Sequence, residues 1–276
     1  MGEYLSIDET SLSHGELYTI VTNKSAKGKK GTLVAIMEGT NSDTIIPFLQ
    51  KLPLKQRKKV REVTLDLAGN MNLIVRRCFP NARIVIDRFH VQQLATEALQ
   101  EIRIKHRWEA LEAENEAIEI AKKNKQNYDP EILPNGDTLK QLLARSRYLL
   151  YRHEQNWTQQ QYERASILFE RYPDIKKAYD LTQNLAWIYS NTTDKIYAYT
   201  RLAKWYDKVE QSGFKAFNTV SRTIMNHYKR ILNYFDNRST NASAESFNAK
   251  IKAFRSQYRG VTDTNFFLFR LANLYA

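Results

Sequence analysis

Short apolar runs of strand type open this chain, and helical periods fill most of the rest. Tyr4 to Glu9, Glu16 to Lys24 and Thr32 to Glu38 are rich in Leu, Ile, Val, Tyr and Thr. They are separated by Ser-His-Gly and Ala-Lys-Gly-Lys-Lys-Gly, which is turn chemistry, so three consecutive antiparallel strands are predicted. The first strand is expected to end at Asp8, and His14 falls in the turn that follows. Asn41 or Ser42 can cap a helix running to about Leu52. Val60 to Leu67 then reads as a fourth strand closing on Asp66, Gly69 to Phe79 as a helix with Leu73, Ile74 and Val75 inside, and Ala82 to Asp87 as a fifth strand.

From Val91 to Phe235 the period becomes wholly helical, in the segments Val91 to Lys125, Leu139 to His153, Thr158 to Arg171, Asp174 to Ser190, Asp194 to Gln211 and Phe214 to Phe235. Breaks fall at Asp129-Pro130, Pro134-Asn135-Gly136, Tyr172-Pro173 and Ser212-Gly213. Three antiparallel strands followed by helix, strand, helix, strand require crossover connections, so the later strands lie parallel in one mixed sheet. That order is expected of a ribonuclease H-like core. The fold class is therefore α/β, a mixed five-stranded sheet interrupted by a large all-helical insertion. Residues 1–90 and 236–276 make the core, and residues 91–235 the insertion. Trp187, Tyr189, Tyr197, Tyr199, Trp205 and Tyr206 at helical spacing read first as core, with base stacking as the alternative. Arg201 and Lys204 are candidates for phosphate contact or for a solvated face.

The stretch from Asn241 to Phe254 carries two stripes. Ala244, Phe247, Ile251 and Phe254 form an apolar face of a helix, and Asn241, Glu245, Asn248 and Lys252 recur at the same spacing beside it. One carboxylate, two amides and one ammonium in a row suit a metal ion and a phosphate held together. Asp8, Asp66 and Glu245 sit where strand ends and a flanking helix meet a common cleft. Clustered carboxylates repel one another unless a cation neutralises them, and hard oxygen donors select Mg²⁺ or Mn²⁺. Two such ions can activate a water or a 3′-hydroxyl for in-line attack at phosphorus. Asp87-Arg88-Phe89-His90 follows the fifth strand, and His90 is expected to begin the next helix and to orient an acid or a metal ligand. Glu9, pointing to the opposite face of its strand from Asp8, is left outside the site.

Composition narrows the partner. The 276 residues carry 42 Lys and Arg against 30 Asp and Glu, a net charge of +12 that favours a polyanion. Cys78 is the only cysteine, which excludes an internal disulfide and a thiolate zinc site; with no second His pair nearby, the D-x-x-H pair does not make one either. No apolar run approaches the roughly 18 residues of a membrane span and no signal-like N-terminus is visible, so a soluble, unexported protein is expected.

The segments Ile7-Asp8-Glu9, Leu65-Asp66, Asp87-Arg88-Phe89-His90 and Arg238-Ser239-Thr240-Asn241-Ala242-Ser243-Ala244-Glu245-Ser246-Phe247-Asn248-Ala249-Lys250-Ile251-Lys252 together resemble the DDE transposases of bacterial insertion sequences, in the ISL-three branch. Gly260 and Phe266-Phe267-Leu268-Phe269 resemble the end of that family. The resemblance implies that Asp8, Asp66 and Glu245 are the catalytic, metal-binding triad, with Asp87 and His90 close behind. It implies two Mg²⁺ ions, replaceable by Mn²⁺, and Asn241, Asn248 and Lys252 beside the scissile phosphate. It further implies cleavage of double-stranded DNA at transposon ends, transfer of the freed 3′-hydroxyl to target DNA, a dimer in the active complex, and a site of action in the bacterial cytoplasm at the nucleoid. In the family a zinc-binding segment and a helix-turn-helix precede the catalytic domain. Here the chain opens almost on the first strand, so end recognition is expected from a separate domain or protein. Two other readings share the fold: a structure-selective nuclease, and a domesticated, catalytically inactive DNA-binding protein.

Overall fold

A computed structural model describes residues 1–12, 15–258 and 263–276, so the expectations for His14 and Gly260 lie outside the described residues. The chain divides into two compact units, Met1–Val91 with His227–Ala276, and Gln92–Asn226.

In the first unit, β1 (Tyr4–Ser11), β2 (Leu17–Asn23), β3 (Leu33–Glu38), β4 (Glu62–Leu65) and β5 (Arg83–Ile86) form one five-stranded mixed sheet in the order β3-β2-β1-β4-β5. The first three strands pair antiparallel, and β4 and β5 run parallel to β1. This is the α/β mixed sheet expected from the pattern.

The strand boundaries correct one expectation. Asp8 lies inside β1, opposite Ile20, because β1 continues to Ser11 against β2. The parallel ladder to β4 stops earlier, at Ser6 and Thr64, so Asp8 still projects beyond the edge shared with β4.

Between the strands run α1 (Ser42–Gln50), capped by the Asn41 carboxamide on the Asp43 N–H, the short α2 (Leu54–Arg57), and α3 (Gly69–Cys78). In α3 the buried residues include Met71, Ile74, Val75 and Cys78, whereas Leu73 is exposed. Each helical residue turns about 100°, so three consecutive residues cannot all face inward.

Cross-strand partners share a face, which sets Ser6, Asp8, Ile20, Thr22 and Thr64 on one side of the sheet. On that side Ile20 and Leu33 pack with Phe247 and Ile251 of α11 (Ala242–Gln257) and with Phe267 and Leu271 of α12 (Thr264–Tyr275). The apolar stripe read from the sequence is therefore the buried face of α11, with Phe254 partly buried at its end.

The second unit is helical. It holds most of α4 (Arg88–Lys123), then α5 (Leu139–Arg145), α6 (Gln159–Arg171), α7 (Pro173–Asn191), α8 (Lys195–Ser212) and the first part of α9 (Lys215–Leu232), which the short α10 (Tyr234–Asn237) follows in the first unit. Thr138 and Thr158 close reciprocal capping boxes with Gln141 and Gln161, Pro173 opens α7, and Gly213 ends α8 in the left-handed conformation. The segment expected as one helix from Leu139 to His153 instead breaks after α5 into a 3-10 turn at Leu149–Tyr151.

Tyr189 and Trp205 are core, the latter donating its indole N–H to Leu181 O at 2.9 Å, while Trp187, Tyr197 and Tyr199 are exposed. Arg201 stacks on Trp187 and donates to Asn191 O and Thr192 Oγ1, so its guanidinium is committed within the unit. Among the described residues no helix is long and apolar enough to cross a membrane.

Candidate active site at the carboxylate edge of the sheet

Strand register brings two of the expected acids together before any side chain is considered. The offset that pairs Ser6 with Thr64, carried two residues further, sets Asp8 level with Asp66. The β4–β5 offset likewise sets Asp66 level with Asp87, and the Asp87 N–H still donates to Leu65 O at 3.0 Å. Three aspartates from three parallel neighbours thus share one edge.

Each is then fixed differently. Asp66 folds back on its own chain, accepting the Ala68 N–H on Oδ1 at 2.8 Å in a local turn. Asp8 accepts the Glu9 N–H at 2.9 Å and, on its other oxygen, Asn248 Nδ2 of α11 at 2.7 Å. Asp87 is buried and accepts the Phe89 N–H at the start of α4 and the Asn241 N–H at the start of α11, both at 3.2 Å. One buried carboxylate therefore ties the last strand to two helix N-termini, where negative charge is favoured.

Glu245, exposed in the first turn of α11, joins this edge electrostatically. Burial pushes the Asp8 carboxyl above its ordinary value; the Glu9 N–H and His90 oppose the shift, and Asp66 and Glu245 add to it. So Asp66, Glu245 and His90 all lie within electrostatic reach of Asp8. Glu9, set aside on strand alternation, is also drawn in: burial raises its pKa first, then Asp66 and Asp8. Alternation fixes the face from which a side chain leaves its strand, but not how far a long side chain reaches around the sheet edge.

The amide row of α11 divides. Lys252 is exposed, and Asn248 is nearly buried and engaged with Asp8. Asn241 is seated deeper than Lys252. Its side chain is fully buried, with Oδ1 and Nδ2 both lacking a hydrogen-bond partner, because the helix start is pulled inward by Asp87.

Lys24, the last residue of the second predicted strand, is part of the floor. Its ammonium donates to Thr64 Oγ1. Burial lowers its pKa to about 8 against the opposing pull of Glu62 and Asp87. No periodicity or motif marks this lysine; only the folding of the turn after β2 back across the sheet places it.

The donors present suit a divalent cation in kind, being carboxylate oxygens whose mutual repulsion a hard cation would relieve. They do not stand as a closed chelate, since among the described residues no three His, Cys, Asp or Glu side chains converge closely enough to hold an ion.

The family model described as transposase, of the DDE ISL3 type, matches residues 5–271, and the chain belongs to that family. Among curated relatives, the transposase for insertion sequence element IS1001 of Bordetella parapertussis is 24% identical over 98% of this chain and 60% of its own length. The transposase for insertion sequence element IS1557 of Mycobacterium tuberculosis is 23% identical over 90% of this chain and 54% of its own length. The chain thus matches little more than half the length of these curated relatives.

Proposed function

We propose that residues 1–90 and 236–276 form the ribonuclease H-like catalytic core of a transposase, interrupted by an all-helical insertion at residues 91–235. In this reading the core cleaves DNA strands at transposon ends and joins the freed 3′-hydroxyl to target DNA. The observation that carries it is the level placement of Asp8 and Asp66 at one sheet edge, with Glu245 acting on the Asp8 carboxyl. Asp8, Asp66 and Glu245 would hold Mg²⁺, two ions being expected, with Mn²⁺ as substitute. When bound, such ions polarise the attacking oxygen and stabilise the leaving one.

The chain's own residues do the rest. Asn248 holds one oxygen of Asp8 and the Glu9 N–H holds the other, which together fix the carboxylate. Asp87 fixes the N-terminus of α11 and thereby the position of Glu245 one turn later. His90, in the first turn of α4, lowers the cost of ionising Asp8. Lys252 is exposed one turn beyond Asn248, and in this reading it meets a backbone phosphate. The partner is double-stranded DNA, bound by a dimer in the bacterial nucleoid, with the ends recognised by a domain or protein outside the matched stretch.

Glu245→Gln tests the assignment on DNA carrying the element's ends, with Mg²⁺ or Mn²⁺ present. Strand cleavage should fall by about 10²–10³-fold, on the scale of losing transition-state charge stabilisation, while duplex affinity stays unchanged. Cleavage at the wild-type rate by the variant would overturn the triad. A wild-type protein that binds duplex and cuts nothing would favour a DNA-binding protein without catalysis.

A further inference from the structure

The helical unit provides acids for several of its arginines. Arg145 and Arg164 share buried Asp137, and Arg171 pairs with Glu131. Arg103, Arg107 and Arg147 are different. Among the described residues none of the three is in an ion pair, although Arg103 is only 4% exposed.

The packing of α5 on α4 puts them together. Arg103 and Arg107 lie one turn apart on the same face of α4. Arg103 Nε donates to Gln100 Oε1 at 2.6 Å, and its Nη1 donates to Leu143 O of α5 at 2.8 Å. Gln100 in turn donates to Arg147 O at 3.2 Å, which draws the chain just past α5 onto α4. Arg107 Nε is buried without a hydrogen-bond partner, and the Arg147 guanidinium lies over the Tyr148 ring at 5.4 Å. Burial first, then Arg107 and Arg147, depress the Arg103 pKa, and only the Tyr151 phenol acts the other way.

Three guanidiniums that depend on no carboxylate, one of them in the floor, are an arrangement that an anion completes. Tyr148 and Tyr151 are 71% and 51% exposed beside them, the flat partners that a base or sugar next to a phosphate would use.

We propose that Arg103, Arg107 and Arg147 form a phosphate-binding site on the helical unit, and that its ligand is the phosphodiester backbone of nucleic acid. Arg103 is the fixed floor; Arg107 and Arg147 make the direct contacts. The source assigned to the phosphate rests on the transposase reading above, whereas the site itself does not.

The experiment uses the full chain and the double variant Arg107→Gln with Arg147→Gln, which spares the buried floor. Arg171→Gln, a surface guanidinium already paired with Glu131, is the control for lost charge. Duplex affinity is measured across salt for unrelated sequences, and inorganic phosphate is titrated separately by calorimetry. The double variant should bind every duplex more weakly and lower the log–log salt slope by about 2, while the control lowers it by far less. An unchanged slope in a double variant that folds normally overturns the site and leaves the DNA reading standing. Binding of inorganic phosphate through these arginines by a chain that binds no duplex overturns the nucleic-acid source together with the DNA reading, while keeping the cation cluster as a free-phosphate site.

Discussion

Lys24 offers the most direct test of how the floor of the candidate site is built. Its amine is lowered from 10.5 to about 8 because burial outweighs the attraction of Glu62 and Asp87. The sign of the linkage follows from counting protons. Below pH 8 the amine is protonated in both folded and unfolded chains, and its burial penalty is carried in full. Between about 8 and 10.5 the folded chain has released the proton while the unfolded chain still holds it, so stability rises with pH. The slope approaches about 1.4 kcal/mol per pH unit, and over the whole interval the gain is about 3 kcal/mol. Other lysines and tyrosines titrate in the same range, so the quantity to read is the difference between wild type and Lys24→Met. Urea unfolding of both proteins at pH 7, 8, 9 and 10 supplies it. Wild type should gain on the variant progressively above pH 8. Parallel stability curves, or competitive labelling that finds the Lys24 amine titrating near 10.5, would refute the claim that its ammonium lies desolvated against the sheet.

Two further substitutions probe how α11 is held. Asn248→Ala removes the Nδ2 donor from Asp8 and costs about 1.5–3 kcal/mol where Asp8 is ionised, the range for a hydrogen bond to a charged group. The native Asp8 carboxyl already keeps its proton more tightly than the unfolded value of 3.8, so stability falls as pH rises from there through the folded value, and the variant should widen that fall. Carboxyl carbon NMR checks the direction, and an Asp8 resonance titrating lower in the variant would contradict it. Phe247→Ala empties the centre of the core that Ile20, Leu33, Phe267 and Leu271 share and should cost about 3–5 kcal/mol. Denaturant unfolding of the variant with a midpoint within error of wild type would show that α11 is not held by this face.

What the sequence determined by itself was periodic and local. Strand-type composition and turn residues marked the strands, the three-to-four spacing of Ala244, Phe247 and Ile251 marked the buried face of α11, and Asn41 marked the start of α1. These signals are legible because each is set by bond geometry over a few residues. The motif carrying Asp8, Asp66 and Glu245 was legible through family likeness, and the family itself is borne out over residues 5–271.

The tertiary structure decided what depends on register and reach. Parallel pairing, not the sequence distance between them, sets Asp8 level with Asp66. The pull of Asp87 on the start of α11 buried Asn241, although helical spacing placed it in the same row as exposed Glu245 and Lys252. Spacing along a helix fixes an angle but not the depth at which the helix is seated. Lys24 became part of the floor through the turn that follows β2, and Glu9 came under the electrostatic influence of Asp66 and Asp8. In the helical unit, the hydrogen bonds from Gln100 to Arg147 O and from Arg103 to Leu143 O bring Arg147, distant in sequence, to the part of α4 that carries Arg103 and Arg107.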